Sequence, residues 1–261
     1  MSDISAAENS DAIDWLGRPV SCKDCPHEAM RAEGRCDLGR ICVRDRRSKR
    51  IDRFLANNPA LANRYLSHSY AELRVLAAKH ASVFLMPQLV DDPEPDVRAM
   101  VAYRLPINRL GALKRDSDRK VRLAVAYRAE GKDLVDLLGD GDYAVRCVAA
   151  RRAAPDLLVV ARNDPVSDVR RIVAQRAPAD VLVPMMFDND PLVRLEVARR
   201  LGPHQLDILV HDEDLRVRFV VAERCPAALL AYLVHDRDLE VRNVARARMS
   251  MGDGGDDGPR A

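Results

Sequence analysis

A Val-Arg dipeptide, once Leu-Arg, returns at every twenty-fourth position from Leu73-Arg74 to Val241-Arg242, eight times without an insertion. No other feature constrains the fold as tightly, because a period of this length marks a stack of like supersecondary units, none of which can bury its apolar face alone. With the valine as position zero, the arginine beside it forms one column: Arg98, Arg122, Arg146, Arg170, Arg194 and Arg218. Five residues before the valine stands an acid, at Asp92, Asp116, Asp140, Asp164, Asp188, Asp212 and Asp236, with His68 in the first copy. Seven residues after it runs a second arginine column from Arg104 through Arg128, Arg152, Arg176, Arg200 and Arg224 to Arg248, with His80 in the first copy. Thirteen residues after it runs an apolar column from Met86 to Leu230.

Each repeat spells a helix with a start and a stop. Asp118, Asp142, Asp190, Asp214 and Asp238 stand where an N-cap side chain accepts backbone N–H bonds. Apolar residues at zero, plus four and plus eight, such as Val97, Val101 and Leu105, share one face of a 3.6-residue spiral. Small residues at plus five, Ala78 to Ala222, let neighbouring helices approach closely. Pro106, Pro155, Pro178, Pro203 and Pro226 then end it, because proline cannot continue the hydrogen-bond ladder. The spacing predicts an α-helix of about eleven residues. What remains, such as Val181-Leu182-Val183, suits a one- or two-turn helix, 3₁₀ included. A β-strand competes there on periodicity alone, but Ala, Leu and Asp outnumber β-branched residues in the other copies.

The charge columns follow from the same geometry. The arginine at plus seven lies about 20° around the helix from the valine, at the border of the buried face. We therefore read these arginines as pairing with the acids of their own or an adjacent repeat, in a ladder that sets the stacking register, in preference to a groove that grips a partner. This also explains how 42 basic and 40 acidic residues leave a net charge of only +2. All but six of the basic residues are arginine, which favours fixed, forked ion pairs.

Cys22, Cys25, Cys36 and Cys42 have the spacing C-x2-C-x10-C-x5-C in a segment without the 24-residue pattern. Asp3, Glu8, Asp11 and Asp14 precede it, with no basic n-region or apolar h-region, and no apolar run reaches membrane-spanning length. The expected setting is the cytoplasm, where clustered cysteines are metal ligands before they are disulfides. A segment this small lacks a core of its own, so a metal supplies the missing stability. Spacing alone leaves zinc and a cubane iron–sulfur cluster open: the x5 pair is loose for a zinc knuckle, and the Cys25-Pro26 step also occurs in ferredoxin runs. His27 is a spare ligand candidate, and Cys147 and Cys225 sit at packing columns. Arg44, Arg46, Arg47, Lys49, Arg50 and Arg53 read as a solvated or cluster-neutralising helix before they read as a nucleic-acid patch.

The pattern D-x-D-x-x-V-R-x-x-V-A-x-R repeated eight times behind the four cysteines resembles the leucine-rich repeat variant (LRV) proteins of nitrogen-fixing bacteria, over nearly the whole chain. The resemblance implies an all-α, right-handed superhelical solenoid of alternating α- and short 3₁₀-helices. It also implies a [4Fe-4S] cluster held by the four cysteines, and transfers no catalytic activity. The expected organisation is a cluster domain over 1–50, a partial capping repeat over 51–67, repeats over 68–249 and a disordered tail over 250–261.

We expect a cluster-bearing scaffold that offers its solenoid face to another protein, with the cluster as a redox-active or redox-sensing element. A zinc-stabilised adaptor (Zn2+ without redox) and an electron-transfer protein are the alternatives. Nucleic acid is a poorer partner, since acids alternate with bases in every repeat and aromatics are only 4%. The six histidines are scattered, and no G-x-S-x-G or phosphate loop is present, so no catalytic constellation emerges.

Overall fold

The computed structural model describes residues 12–23 and 25–252. Those residues are almost entirely helical, with two isolated antiparallel bridges, Ile13 with Pro19 and Asp37 with Ile41, and no strand. Helix therefore takes the segments where strand competed. The chain divides into two compact units, Met1–Asp133 and Leu134–Ala261.

In the first unit the cysteine segment leads into the helix Ser48–Asn57, then Pro59–Ala62 and the 3₁₀ turn Asn63–Tyr65, followed by the repeat helices Ala71–His80, Pro95–Arg104 and Arg119–Ala126 packed side by side. In the second unit Tyr143–Arg152, Ser167–Arg176, Pro191–Arg200, Leu215–Arg224 and Leu239–Gly252 pack in the same way. The repeat helices are mostly ten residues long. Asp118, Asp142, Asp190 and Asp214 each accept the N–H two residues on, which opens the helix. The last helix reaches Gly252, inside the span expected to be tail; 253–261 lie outside the described residues.

The predicted apolar columns are the core. The residues at zero and plus four are essentially inaccessible in every repeat, as are the plus-five alanines from Ala78 to Ala222, and Met86, Leu110, Leu158, Leu182, Leu206 and Leu230 close the core from the short helices. Those short helices are not uniform. Val83–Leu89, Ile107–Arg115, Pro155–Ala161 and Ile208–His211 are 3₁₀, whereas Gly131–Leu137 and Ala227–Leu233 are α. Ala227–Leu233 consists of Ala, Leu and Tyr alone, strong helix formers for the most part, while Pro87 interrupts one 3₁₀ segment and Val159-Val160 crowd another.

The charge columns are shared out differently from the expectation. Six of these acids are gripped by the arginine beside a valine, not by one at plus seven. Arg74 grips Asp92 and Arg98 grips Asp116 in the first unit. Arg146 grips Asp164, Arg170 Asp188, Arg194 Asp212 and Arg218 Asp236 in the second, each through Nε and Nη2 at 2.6–3.0 Å. The remaining Nη1 returns to the turn of its own repeat, as Arg146 does to the Asp140 carbonyl at 2.8 Å. The same acid also accepts the N–H two residues on, as Asp164 does from Val166. The plus-seven arginines donate to backbone carbonyls at the end of the preceding helix: Arg128 to Ala102, Arg200 to Ala174 and Ala177, Arg248 to Ala222 and Cys225. Those carbonyls carry the negative end of the helix dipole and lack intrahelical donors, so a guanidinium suits them better than a second carboxylate bond would.

Asp164→Ala strands a buried guanidinium and frees the turn at Val166, so it should cost about 3–5 kcal/mol in a urea titration. Severing the exposed pair Lys120–Asp96 should leave the midpoint unmoved. Acid should act through the same groups. The Arg98 guanidinium holds Asp116 below the usual carboxylate range, and the Arg216 side chain brings Asp214 down to about 2. Both bind protons less readily folded than unfolded, so their contribution is complete above about pH 4 and is lost as pH falls towards 2. Acid titration followed by circular dichroism should show helicity falling in that window.

Candidate metal centre

The four cysteines are carried on tight turns. The Cys25 N–H donates to the Cys22 carbonyl at 3.1 Å, and a 3₁₀ turn, Glu28–Arg31, follows. The segment turns back at Gly34, whose φ of +69° suits glycine, and Asp37 and Ile41 then exchange backbone bonds across a turn through Gly39, φ +84°. Cys42 returns to the first helix, its N–H donating to the Arg50 carbonyl at 3.2 Å. Cys36 and Cys42 are buried, while Cys22 and Cys25 are partly exposed. Ala12, Val20, Leu38 and Cys42 form a small apolar knot with Cys22 against it.

The thiols are near enough to feel one another. Burial pushes Cys36 up to about 12, and the charges of Cys42, Cys25 and Cys22 add to the rise. Burial raises Cys42 as well. All four are free thiols. Among the described residues, no three His, Cys, Asp or Glu side chains converge as a single-ion site. The donor chemistry nevertheless fits a cluster: four soft sulfur ligands on one short segment, two of them in apolar surroundings where a thiolate needs a cation beside it.

His27, the spare ligand candidate, is buried and engaged elsewhere, its Nε2 hydrogen-bonded to the Tyr65 hydroxyl. Cys147 and Cys225 are buried in the repeats. Of the basic run, Arg44 reaches the Ser21 carbonyl and Arg50 pairs with the buried Asp45 at 2.7 Å, so these two cations fasten the cysteine segment.

The residues that join this segment to the repeats carry no motif. Asn58 is 1% exposed; its Nδ2 donates to the carbonyls of Phe54 and Arg35, and its Oδ1 accepts from Arg35 Nε. The Asn58-Pro59 dipeptide marks a turn, which is the signal that could have drawn attention to it. Trp15 stacks on Tyr70 and meets His68 edge-on, with ring centroids 5.9 and 4.5 Å apart. His68 does the local work of the missing acid: its Nδ1 accepts the Tyr70 N–H at 3.0 Å, and its carbonyl accepts from Arg74. A ring nitrogen that accepts is unprotonated, in keeping with burial holding His68 below the ordinary histidine range. His80, in the plus-seven column, bonds Asp52 at 2.7 Å.

The described residues superpose on a solved structure described as a leucine-rich repeat variant with a novel repetitive protein structural motif. The TM-score is 0.84 at 37% identity, over 88% of this chain and 98% of that one. The chain belongs to the leucine-rich repeat variant family. Residues 12–64 of this LRV protein match the family model for the LRV protein FeS4 cluster, which takes in all four cysteines. It is an iron–sulfur cluster-binding repeat protein on that evidence, and nothing in the comparisons favours zinc. An uncharacterised 27.7 kDa protein in the nifB 3′ region of Rhodobacter capsulatus is 44% identical over 99 residues, which span 38% of this chain and 40% of that relative. No helix among the described residues is long and apolar enough to cross a membrane.

Asn58→Ala would remove the donor to the Phe54 and Arg35 carbonyls, the first of these bonds being buried. A loss of about 1–3 kcal/mol is expected, read as faster amide exchange over residues 33–36 with exchange in the repeats of the second unit unchanged.

Proposed function

We propose that this LRV protein is a cytoplasmic interaction scaffold whose N-terminal segment holds a redox-active [4Fe-4S] cluster through Cys22, Cys25, Cys36 and Cys42. The observation that carries the reading is the fastening of the cysteine segment to the first repeat. Asn58, Tyr65 and Tyr70 bond residues 35, 27 and 46, so a shift at the thiols is passed to repeat structure within the same compact unit. A [4Fe-4S] cluster supplies one-electron redox chemistry. The chain's own residues position and shield it: Cys36 and Cys42 from the buried side, and Tyr65, whose hydroxyl burial and the Cys25 charge push up to about 12, as a neutral phenol beside them. The repeats, with their column aspartates and the arginines that grip them paired internally, offer a stable surface on which a protein partner docks.

Electron transfer to such a partner is the second reading, favoured by the partial exposure of Cys22 and Cys25.

Anaerobic purification with iron, sulfide and zinc analysis, and paramagnetic resonance before and after dithionite, tests the proposal. About four iron and four sulfide per chain with a reducible signal is expected, and Cys36→Ser should lose most of the iron. One zinc without sulfide would overturn it.

A further inference from the structure

The short helices of the second unit carry an apolar stripe that the core does not need. Fifteen residues after the valine at position zero stand Val160, Pro184, Ile208 and Tyr232 in four consecutive repeats. All four are exposed, Val160 by 63% and Tyr232 by 60%. They face outward because the positions two before and one after them, Leu158 and Ala161 or Leu206 and Leu209, already fill the interior. Val159, Val183 and Phe187 widen the stripe, and the His211 ring meets Tyr232 edge-on at 5.6 Å, linking one repeat to the next. The column has no apolar requirement of its own, since earlier copies place Gln88, Ala112 and Asp136 there. Scattered exposed apolar residues need no explanation, but an aligned row of them marks an interaction surface.

The charge beside the stripe gives its sign. Asp156 and Asp180 on these short helices, and Asp207 at the entry to Ile208–His211, are exposed, and none of the three carboxylates has a partner among the described residues. By contrast the acids five residues before the valine in this unit, Asp164, Asp188, Asp212 and Asp236, are each gripped by arginine. Against these three carboxylates the same four segments carry a single arginine, Arg162, and three histidines.

We infer that this stripe docks a basic, amphipathic segment of a partner protein: apolar side chains along Val160, Pro184, Ile208 and Tyr232, and lysine or arginine against Asp156, Asp180 and Asp207. The inference rests on the scaffold reading and names the chemistry of its partner.

The test uses the full-length holoprotein, above the histidine titration range, with two dye-labelled amphipathic peptides, one of leucine and lysine, the other of leucine and glutamate, followed by fluorescence anisotropy. The lysine peptide should bind, and added salt should weaken it. Asp156→Asn, Asp180→Asn and Asp207→Asn combined should cost about tenfold in affinity, as should Ile208→Ser with Tyr232→Ser, with helicity unchanged in both variants. Binding of the lysine peptide that neither variant alters, or preference for the glutamate peptide, would overturn the stripe while leaving the scaffold reading standing. Binding of neither peptide would overturn the stripe also, as would variants that change only sedimentation of the protein itself, which would assign the stripe to self-association. Iron and sulfide content judges the cluster independently of all these outcomes.

Discussion

The forked pair between an arginine of one repeat and the aspartate eighteen residues on is the interaction on which the rest of this architecture depends. One guanidinium reaches the turn carbonyl of its own repeat through Nη1 and the next repeat's carboxylate through Nε and Nη2. The carboxylate in turn accepts the N–H that opens its own turn. Three requirements meet in one pair: the helix entry, the link to the neighbour, and the satisfaction of backbone groups that packing would otherwise bury unpaired. A hydrophobic contact in place of the rung would supply burial without register, because apolar packing is non-directional whereas a bidentate fork is not. The second arginine column closes the other end, capping the carbonyls of the preceding helix. Together the two columns account for much of the chain's arginine, one matched by carboxylates and the other by carbonyl dipoles.

The cysteine segment meets this pattern at its first repeat, where both charge columns are broken. His68 keeps the acid's two local duties, accepting an N–H and offering its carbonyl to Arg74, but presents an aromatic face to Trp15. His80 gives up the carbonyl cap for a bond to Asp52. The first repeat thus exchanges ladder chemistry for contacts to a segment with its own needs. That segment is held by a few polar bonds through Asn58, Tyr65 and Tyr70 and by a small apolar knot. Its thiols feel one another's charge, and two of them lie in surroundings that disfavour thiolate unless a cation is supplied.

Much of this is legible in the sequence alone. Period, N-cap aspartates, stop prolines and the columns at zero, plus four, plus five and plus thirteen follow from local propensity and helical geometry, and each is where the sequence places it. The pairing of the charges is not, because a contact between residues eighteen apart is a property of how repeats stack. The side-chain identities at plus one and plus seven are the same arginine. A backbone carbonyl also leaves no mark in a sequence, so the caps formed by Arg128, Arg200 and Arg248 could not be told from ion pairs. The α or 3₁₀ character of the short helices depends on balances as fine as Ala227-Ala228 against Val159-Val160. Asn58 and His68 acquire their roles only through what folds against them.

A double-mutant cycle across one rung, Arg146→Met and Asp164→Leu singly and together, measures the central claim most directly. If the rung is a single directional link, each single change destabilises strongly and the double variant recovers much of the loss, with a coupling of at least about 2 kcal/mol. Additive effects, with no recovery in the double variant, would mean that the two side chains act independently and that register comes from apolar packing alone.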